Sequence, residues 1–230
     1  MRLKPFFYFY GGKHRAAPRY PKPIYNTIIE PFAGSAGYSV RYYEKNIQLY
    51  DADPVICGVW DYLIKVKSEE ILKLPLIVNH IDDHDLIQEA KWLVGFWLNK
   101  ATTRPSKTPS LWIRNGVRPN SGWGQVIRER IASQVDYIRH WKIFNCSYEN
   151  LENTEATWFI DPPYEKAGTF YKCQVDSYEE LAEFCKSRMG QVMVCENEGA
   201  SWLPFQPFAI IKSSTSKRGK GFTREAIWIK

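Results

Sequence analysis

Residues 25–66 alternate between two kinds of segment, and that alternation limits the folds open to the chain. "YNTIIE" (25–30) is β-branched and weakly alternating, which is strand composition. It runs into "PFAGSAG", a turn of small residues, and "YSVRYYEKN" then reads as a helix. "IQLYDAD" (47–53) is a second strand that ends in acids, and "PVICGVWDYLIKV" follows as a helix with Pro54 in its first turn. Strand, turn, helix, strand, helix is how a doubly wound sheet begins. The expected fold class is therefore α/β, a Rossmann-like sheet with helices on both faces.

The middle of the chain has a different period. "DLIQEAKWLVGFWLNK" (85–100) is helical, with Leu86, Trp92, Leu93, Phe96 and Trp97 as its apolar positions. The stretch "ATTRPSKTPSLWIRNGVRPNSGWG" follows, and so long a segment without a regular pattern inside a compact chain is often functional. "QVIRERIASQVDYIRHW" then places Ile127, Ile131, Val135 and Ile138 on one helical face. Strand patterns return in "KIFNCS" (142–147), "TWFI" (157–160), "QVMVCEN", "FAIIK" and "EAIWIK", with a helix at "SYEELAEFCKSR" opened by Ser177 three residues before Glu180. The division expected is 1–74 and 142–230 as two parts of one sheet domain, with 75–141 an inserted, mainly helical lobe.

With 44% hydrophobic residues in 230, the composition is globular. No apolar run reaches the roughly 18 residues of a membrane span. Phe6 to Tyr10 is too short for a signal-peptide core and is followed at once by Gly-Gly-Lys, so the chain is expected to be cytoplasmic. Five cysteines, an odd number without a Cys-x-x-Cys pair, argue against disulfides and a zinc site. "DDHD" beside His80 and His84 reads as a helix start with acids near its N-terminus rather than as a metal site.

The net charge of +6 is unevenly spread. The first 29 residues carry six Lys or Arg and no acid. Residues 90–128 hold Lys91, Lys100, Arg104, Lys107, Arg114, Arg118 and Arg128 without an acid, and 212–224 hold Lys212, Lys217, Arg218, Lys220 and Arg224 likewise. Basic stretches interleaved with aromatic residues suit a phosphate backbone, so the expected partner is nucleic acid.

In an open α/β sheet, ligands bind beyond the carboxyl ends of the strands. "EPFAGSAG", "DAD" and "WFIDPPY" all end at such positions. In the first, Gly34 and Gly37 permit a tight turn and close backbone approach. It is neither G-x-G-x-x-G nor a Walker motif, so a phosphate cradle is poorly supported, and alone it serves equally as a ligand turn or a plain one. Asp51 sits where an acid can accept hydrogen bonds from ribose hydroxyls, or could cap the next helix were Asp53 not better placed for that. Asp161-Pro162-Pro163-Tyr164 supplies a carboxylate, a rigid carbonyl and an aromatic ring. An exocyclic amine on a nucleobase is a poor nucleophile because its lone pair is delocalised into the ring. Two acceptors on its N–H groups, Asp161 and the Pro162 carbonyl, would favour a pyramidal nitrogen, and the same carboxylate would stabilise the cation formed as it attacks. Tyr164 could stack on the base.

"DPPY", preceded by "EPFAGSAG" and, before it, "FYGGK", resembles the Dam-type, alpha-group DNA adenine-N6 methyltransferases, which use S-adenosylmethionine. The motif order matches over nearly the whole chain, with the target-recognition region between the glycine motif and "DPPY", and "FWLNKA" (96–101) resembles the start of that region. The resemblance implies a Rossmann-like methyltransferase sheet. It also implies that Phe9 and Lys13 border the cofactor, that Glu30, Pro31, Phe32, Ala33, Gly34 and Ser35 form the turn around its methionine part, and that Asp51 holds its ribose. Asp161, Pro162, Pro163 and Tyr164 would hold the adenine amine, and no metal is implied. The chain departs from the pattern at Phe9, where the family often has Trp, at Asp53, often Asn, and at Ser147 and Tyr148, where an acid is usual.

An adenine amine in duplex DNA is hidden in its base pair and must be flipped out. Arg104, Lys107, Arg114 and Arg118 are candidates for phosphate or base contacts, and Trp112 or Trp123 for a wedge in the stack. Cytosine N4 and adenine in RNA present a similar amine and remain alternatives, as does a relative that binds DNA without transferring methyl groups.

Overall fold

A computed structural model describes residues 2–100, 102–116, 121–166, 168–212 and 222–230, with backbone only for Thr169, Ile211 and Lys212. Its strands are β1 Thr27–Glu30, β2 Asn46–Asp51, β3 Lys142–Asn145, β4 Ala156–Ile160, β5 Gly190–Asn197, β6 Gln206–Lys212 and β7 Phe222–Ile229. They form one seven-stranded sheet in the order β3-β2-β1-β4-β5-β7-β6. The first five run parallel, and β7 is antiparallel to both β5 and β6. The expected mixed α/β sheet is what the chain forms.

Alternation along the strands divides the core between the two faces of the sheet. Ile28, Phe159, Met193 and Cys195 belong to one buried cluster, and Ile29, Trp158, Ile160, Val192 and Val194 to the other. A strand covered on both faces must be apolar at successive positions, and all five residues of β4 are buried. Among the described residues there are six α-helices: α1 Pro54–Lys65, α2 Ser68–Lys73, α3 Gln88–Leu98, α4 Leu111–Arg114, α5 Gln125–Ala132 and α6 Tyr178–Ser187. Residues of α1, α3 and α5 join the first cluster, while Leu181, Ala182 and Cys185 of α6 join the second. Asp53 caps α1, its Oδ1 accepting from the Val55 N–H at 3.0 Å, and Ser177 caps α6 through the Glu180 N–H at 3.2 Å.

Residues 75–141 do not gather around a core of their own. Leu93, Phe96, Trp97, Ile127 and Ile131 share one cluster with Phe6, Phe7, Trp60 and Phe159. The Trp97 indole donates to the Phe6 carbonyl at 2.9 Å, which ties α3 to the N-terminal segment.

Three expectations need correction. "YSVRYYEKN" is not an α-helix but a short 3-10 turn, Ser39–Tyr42. The buried Glu30 carboxylate takes the Ser39 N–H at 2.8 Å, and Tyr38 is pulled flat onto Phe159 with ring centroids 4.4 Å apart, so side-chain anchors replace helical continuation. "DDHD" makes only the 3-10 turn Ile81–Asp83, whose Asp82 N–H is accepted by the His80 ring at 3.3 Å; the helix begins at Gln88. The helix expected from 125 onward stops at Ala132, because the Gln134 side chain turns to the backbone of Lys4, accepting at 2.7 Å and donating at 3.2 Å. Among the described residues no helix is long and apolar enough to cross a membrane, and no three His, Cys, Asp or Glu gather as a metal would need.

Candidate active site

β1 lies between β2 and β4, so the chain leaves it towards opposite sides of the sheet and opens a crevice at the carboxyl ends. A cavity of about 300 Å³ occupies that crevice. Residues 30–37 after β1, Asp51, Ala52 and Asp53 after β2, and Asp161 and Pro163 after β4 all line it, together with Phe9 and Lys13 of the N-terminal segment. Three segments far apart in sequence thus share one space. Its volume is at the lower end of the range for small-molecule sites.

The glycine turn is shaped for close approach. Gly34 has φ of 43°, in the left-handed region, and a Cβ there would stand 3.1 Å from the Phe9 ring. At Gly37 a Cβ would reach within 2.5 Å of the His14 backbone nitrogen, which excludes any side chain without movement. Ala36 adopts φ of 47°, a strained conformation for a residue with a Cβ, at the same turn.

Six acidic residues line the cavity, Glu30, Asp51, Asp53, Glu149, Asp161 and Asp176, against the two lysines Lys13 and Lys172. A site this acidic in a basic chain repels phosphate and attracts cations. Burial pushes Glu30 up to about 8, partly offset by the Ser39 hydrogen bond. Asp51 is pushed up to about 6 by burial, against the Gly34 and Asp53 amides that it accepts from at 3.0 and 2.9 Å.

Asp161 is paired with Lys13. The Lys13 ammonium stands 2.8 Å from Oδ1 and 2.9 Å from Oδ2, with side-chain exposures of 5% for Lys13 and 19% for Asp161. The same ammonium donates to the Gly11 carbonyl at 2.9 Å and lies 4.9 Å from the centre of the Tyr164 ring. Burial pulls Lys13 towards its neutral form, but Asp161, followed by Tyr164 and Glu225, overrides it and holds the lysine charged, well above its usual range. Burial likewise leaves Asp161 above the usual carboxylate range, although Lys13 pulls it back. Pro162 is buried and its carbonyl accepts from no described residue, while the neighbouring Pro163 carbonyl is taken by the Tyr178 hydroxyl at 2.7 Å. Neither Pro162 nor Tyr164 is among the lining residues.

Beyond the sequence-derived set, the stretch after "DPPY" crosses the cavity. Tyr171, Lys172, Cys173, Gln174 and Asp176 line it. The Tyr171 hydroxyl donates to the Tyr10 carbonyl at 3.1 Å, and Lys172 reaches Asp53 at 3.3 Å. The signal available was position: these residues lie between a candidate catalytic motif and the next helix cap, with no regular pattern of their own. Ser147, Tyr148 and Glu149, after β3, also line the cavity.

Of the basic candidates, the described Arg104, Lys107 and Arg114 are not among the lining residues. Arg104 and Arg114 are exposed, Lys107 is bound to Asp82 at 2.8 Å, and Arg118 lies outside the described residues, as do Lys217, Arg218 and Lys220. Trp123 is packed, its indole donating to the Pro75 carbonyl at 2.6 Å. Trp112 holds the Lys100 ammonium 5.4 Å from its ring centre.

No family model and no curated protein matches the chain. Among solved structures, a conserved hypothetical protein of Streptococcus pyogenes is similar at 10% identity and a TM-score of 0.39, over 95% of this chain and 92% of that one.

Proposed function

We propose that this chain transfers a methyl group from S-adenosylmethionine to the exocyclic N6 amine of an adenine flipped out of DNA. The observation that carries the proposal is the single acid-lined cavity joining the glycine turn, Asp51 and Asp161 at the carboxyl ends of β1, β2 and β4. A dinucleotide cofactor would bring a pyrophosphate into a ring of carboxylates. S-adenosylmethionine brings no phosphate and carries a sulfonium and an ammonium against one carboxylate, so its net positive charge suits these walls.

The residues present fit that cofactor. The Gly34 and Gly37 turn leaves room that a Cβ would fill, and Asp51 has acceptor capacity left for hydroxyls after binding two backbone amides. When bound, S-adenosylmethionine supplies a methyl group already activated on a sulfonium. The chain's own residues then have two tasks. Asp161 accepts one amine N–H, the Pro162 carbonyl, which does not line the cavity in this structure, has to turn to it to accept the other, and the Asp161 charge stabilises the cation that develops on that nitrogen. Lys13 has to yield: its ammonium occupies the Asp161 oxygens that the amine would use, and a cation there would oppose the charge developing in the reaction. We therefore assign Lys13 the role of keeping Asp161 ionised until the amine replaces it. Residues 75–141 would face the DNA, with Arg104 and Arg114 as exposed cations.

The test is transfer of tritium from labelled S-adenosylmethionine to mixed-sequence DNA, followed by digestion and identification of the nucleoside. N6-methyladenine is expected. N4-methylcytosine, or label in RNA only, would move the assignment to another amine. Cofactor binding without transfer to any nucleic acid would leave a binding module.

A further inference from the structure

Flipping a base leaves a gap in the duplex, and both tryptophans suggested by the sequence have partners of their own: the Trp123 indole is tied to the Pro75 carbonyl, and Trp112 packs on the Lys100 ammonium. Phe170 does not line the cavity, but the next residue, Tyr171, does. Phe170 ends the short 3-10 turn Gly168–Phe170, which lies against the "DPPY" segment so closely that a Cβ on Gly168 would meet the Pro163 side chain at 2.9 Å. Its carbonyl end is held by residues that line the cavity. The Thr103 hydroxyl donates to the Phe170 carbonyl at 2.9 Å, and the next residue, Tyr171, is anchored on the Tyr10 carbonyl at 3.1 Å. The ring itself is not part of the lining and is 66% exposed, with a tilted contact to Tyr10 at 5.8 Å between centroids. A large apolar ring held in water on a fixed backbone beside a cavity mouth is placed to enter something else.

We propose that Phe170 inserts into the base stack of duplex DNA, in the space vacated by the base that enters the cavity. This rests on the methyl-transfer function proposed above. The ring lies outside the cavity, so it cannot stack on the flipped base within it. Insertion would bury the ring between base pairs, where an aromatic or apolar wedge offsets the cost of unstacking. Exposed Arg104 directly follows Thr103, whose hydroxyl holds the Phe170 carbonyl, so a cation stands in the chain beside the ring's anchor where a phosphate would pass.

The experiment compares wild type, Phe170→Ala, Phe170→Trp and Ile24→Ala on a mixed-sequence duplex and on its separated strands, with cofactor binding measured in parallel. Ile24 is the control, an apolar side chain 70% exposed that precedes β1, at the other end of that strand from the cavity. Phe170→Ala is expected to lose about tenfold or more on the duplex, the size of one lost stacking contact, and to keep cofactor binding and its rate on single strands. Phe170→Trp should recover duplex activity, and Ile24→Ala should leave both substrates unchanged. Wild-type duplex rates in Phe170→Ala would overturn the proposal, and so would an equal loss on both substrates, which would mark Phe170 as packing for the loop. Wild type active on single strands alone would also overturn it while leaving amine methylation standing. Wild type inactive on both would overturn amine methylation of DNA and this proposal together.

Discussion

The ends of β2 and β4 each carry a buried carboxylate, and the two are held in opposite ways. Asp51 is fixed by the backbone: the Gly34 and Asp53 amides donate to its two oxygens at 3.0 and 2.9 Å. Asp161 is held by a side chain, the Lys13 ammonium at 2.8 and 2.9 Å. Backbone donors cannot leave without unfolding the turn, so Asp51 can only add hydrogen bonds with its remaining lone pairs. A lysine on a flexible stem can swing away, so Asp161 can exchange one donor for another. The first arrangement suits holding a cofactor through many turnovers, and the second suits a substrate amine that comes and goes.

The sharpest way to break this contrast is Asp161→Asn. Transfer is expected to fall by about two to three orders of magnitude, as for loss of a group that stabilises developing charge. The single change also leaves Lys13 as an unpaired buried cation, which costs roughly 3–5 kcal/mol. The double variant Lys13→Met/Asp161→Asn should regain thermal stability without regaining transfer, and recovery of both would remove Asp161 from the chemistry. Next in size is Asp51→Asn, expected to weaken S-adenosylmethionine binding by about tenfold in calorimetry, the size of a lost hydrogen bond to a charged acceptor. An equal loss of transfer from a saturated complex would show that Asp51 is not confined to binding.

A smaller effect concerns pH. Glu30 titrates near 8 in the folded chain, raised from its ordinary 4.5. A raised carboxyl pKa means that the folded state binds more protons than the unfolded one between those values. Stability is therefore full at low pH and declines as pH rises from about 4.5 through 8. Over that window the cavity gains negative charge, from Asp51 around pH 6 and from Glu30 around pH 8, so affinity for the cationic cofactor should rise from pH 6 to pH 8. Glu30→Gln should remove the part of both trends above about pH 7 and leave the Asp51 part below it, and unchanged slopes above about pH 7 in that variant would place the titration elsewhere. The smallest change is expected from Arg104→Ala or Arg114→Ala. Each should lower the slope of log affinity for DNA against log salt by about one and leave cofactor binding unchanged.

How much of this was legible in the sequence depended on whether the signal was local. The strands were legible because their two buried faces demand apolar residues at successive positions, and the caps at Asp53 and Ser177 because a single residue makes each. The meeting of "EPFAGSAG", "DAD" and "DPPY" followed from parallel strands whose carboxyl ends lie on one side. What failed depended on distant partners. The 39–42 segment has helical composition, but Glu30 and Phe159 hold it in a tighter turn. The Lys13–Asp161 pair spans 148 positions, and nothing local marks Lys13 as the ion partner of Asp161.

The most direct test follows methyl label and cofactor binding together in wild type and in Lys13→Met/Asp161→Asn. Wild type is expected to bind S-adenosylmethionine and place N6-methyladenine in DNA, while the double variant binds the cofactor within about threefold, under 0.7 kcal/mol, and labels nothing. Label in DNA at equal rates from both proteins would contradict an amine-accepting role for Asp161.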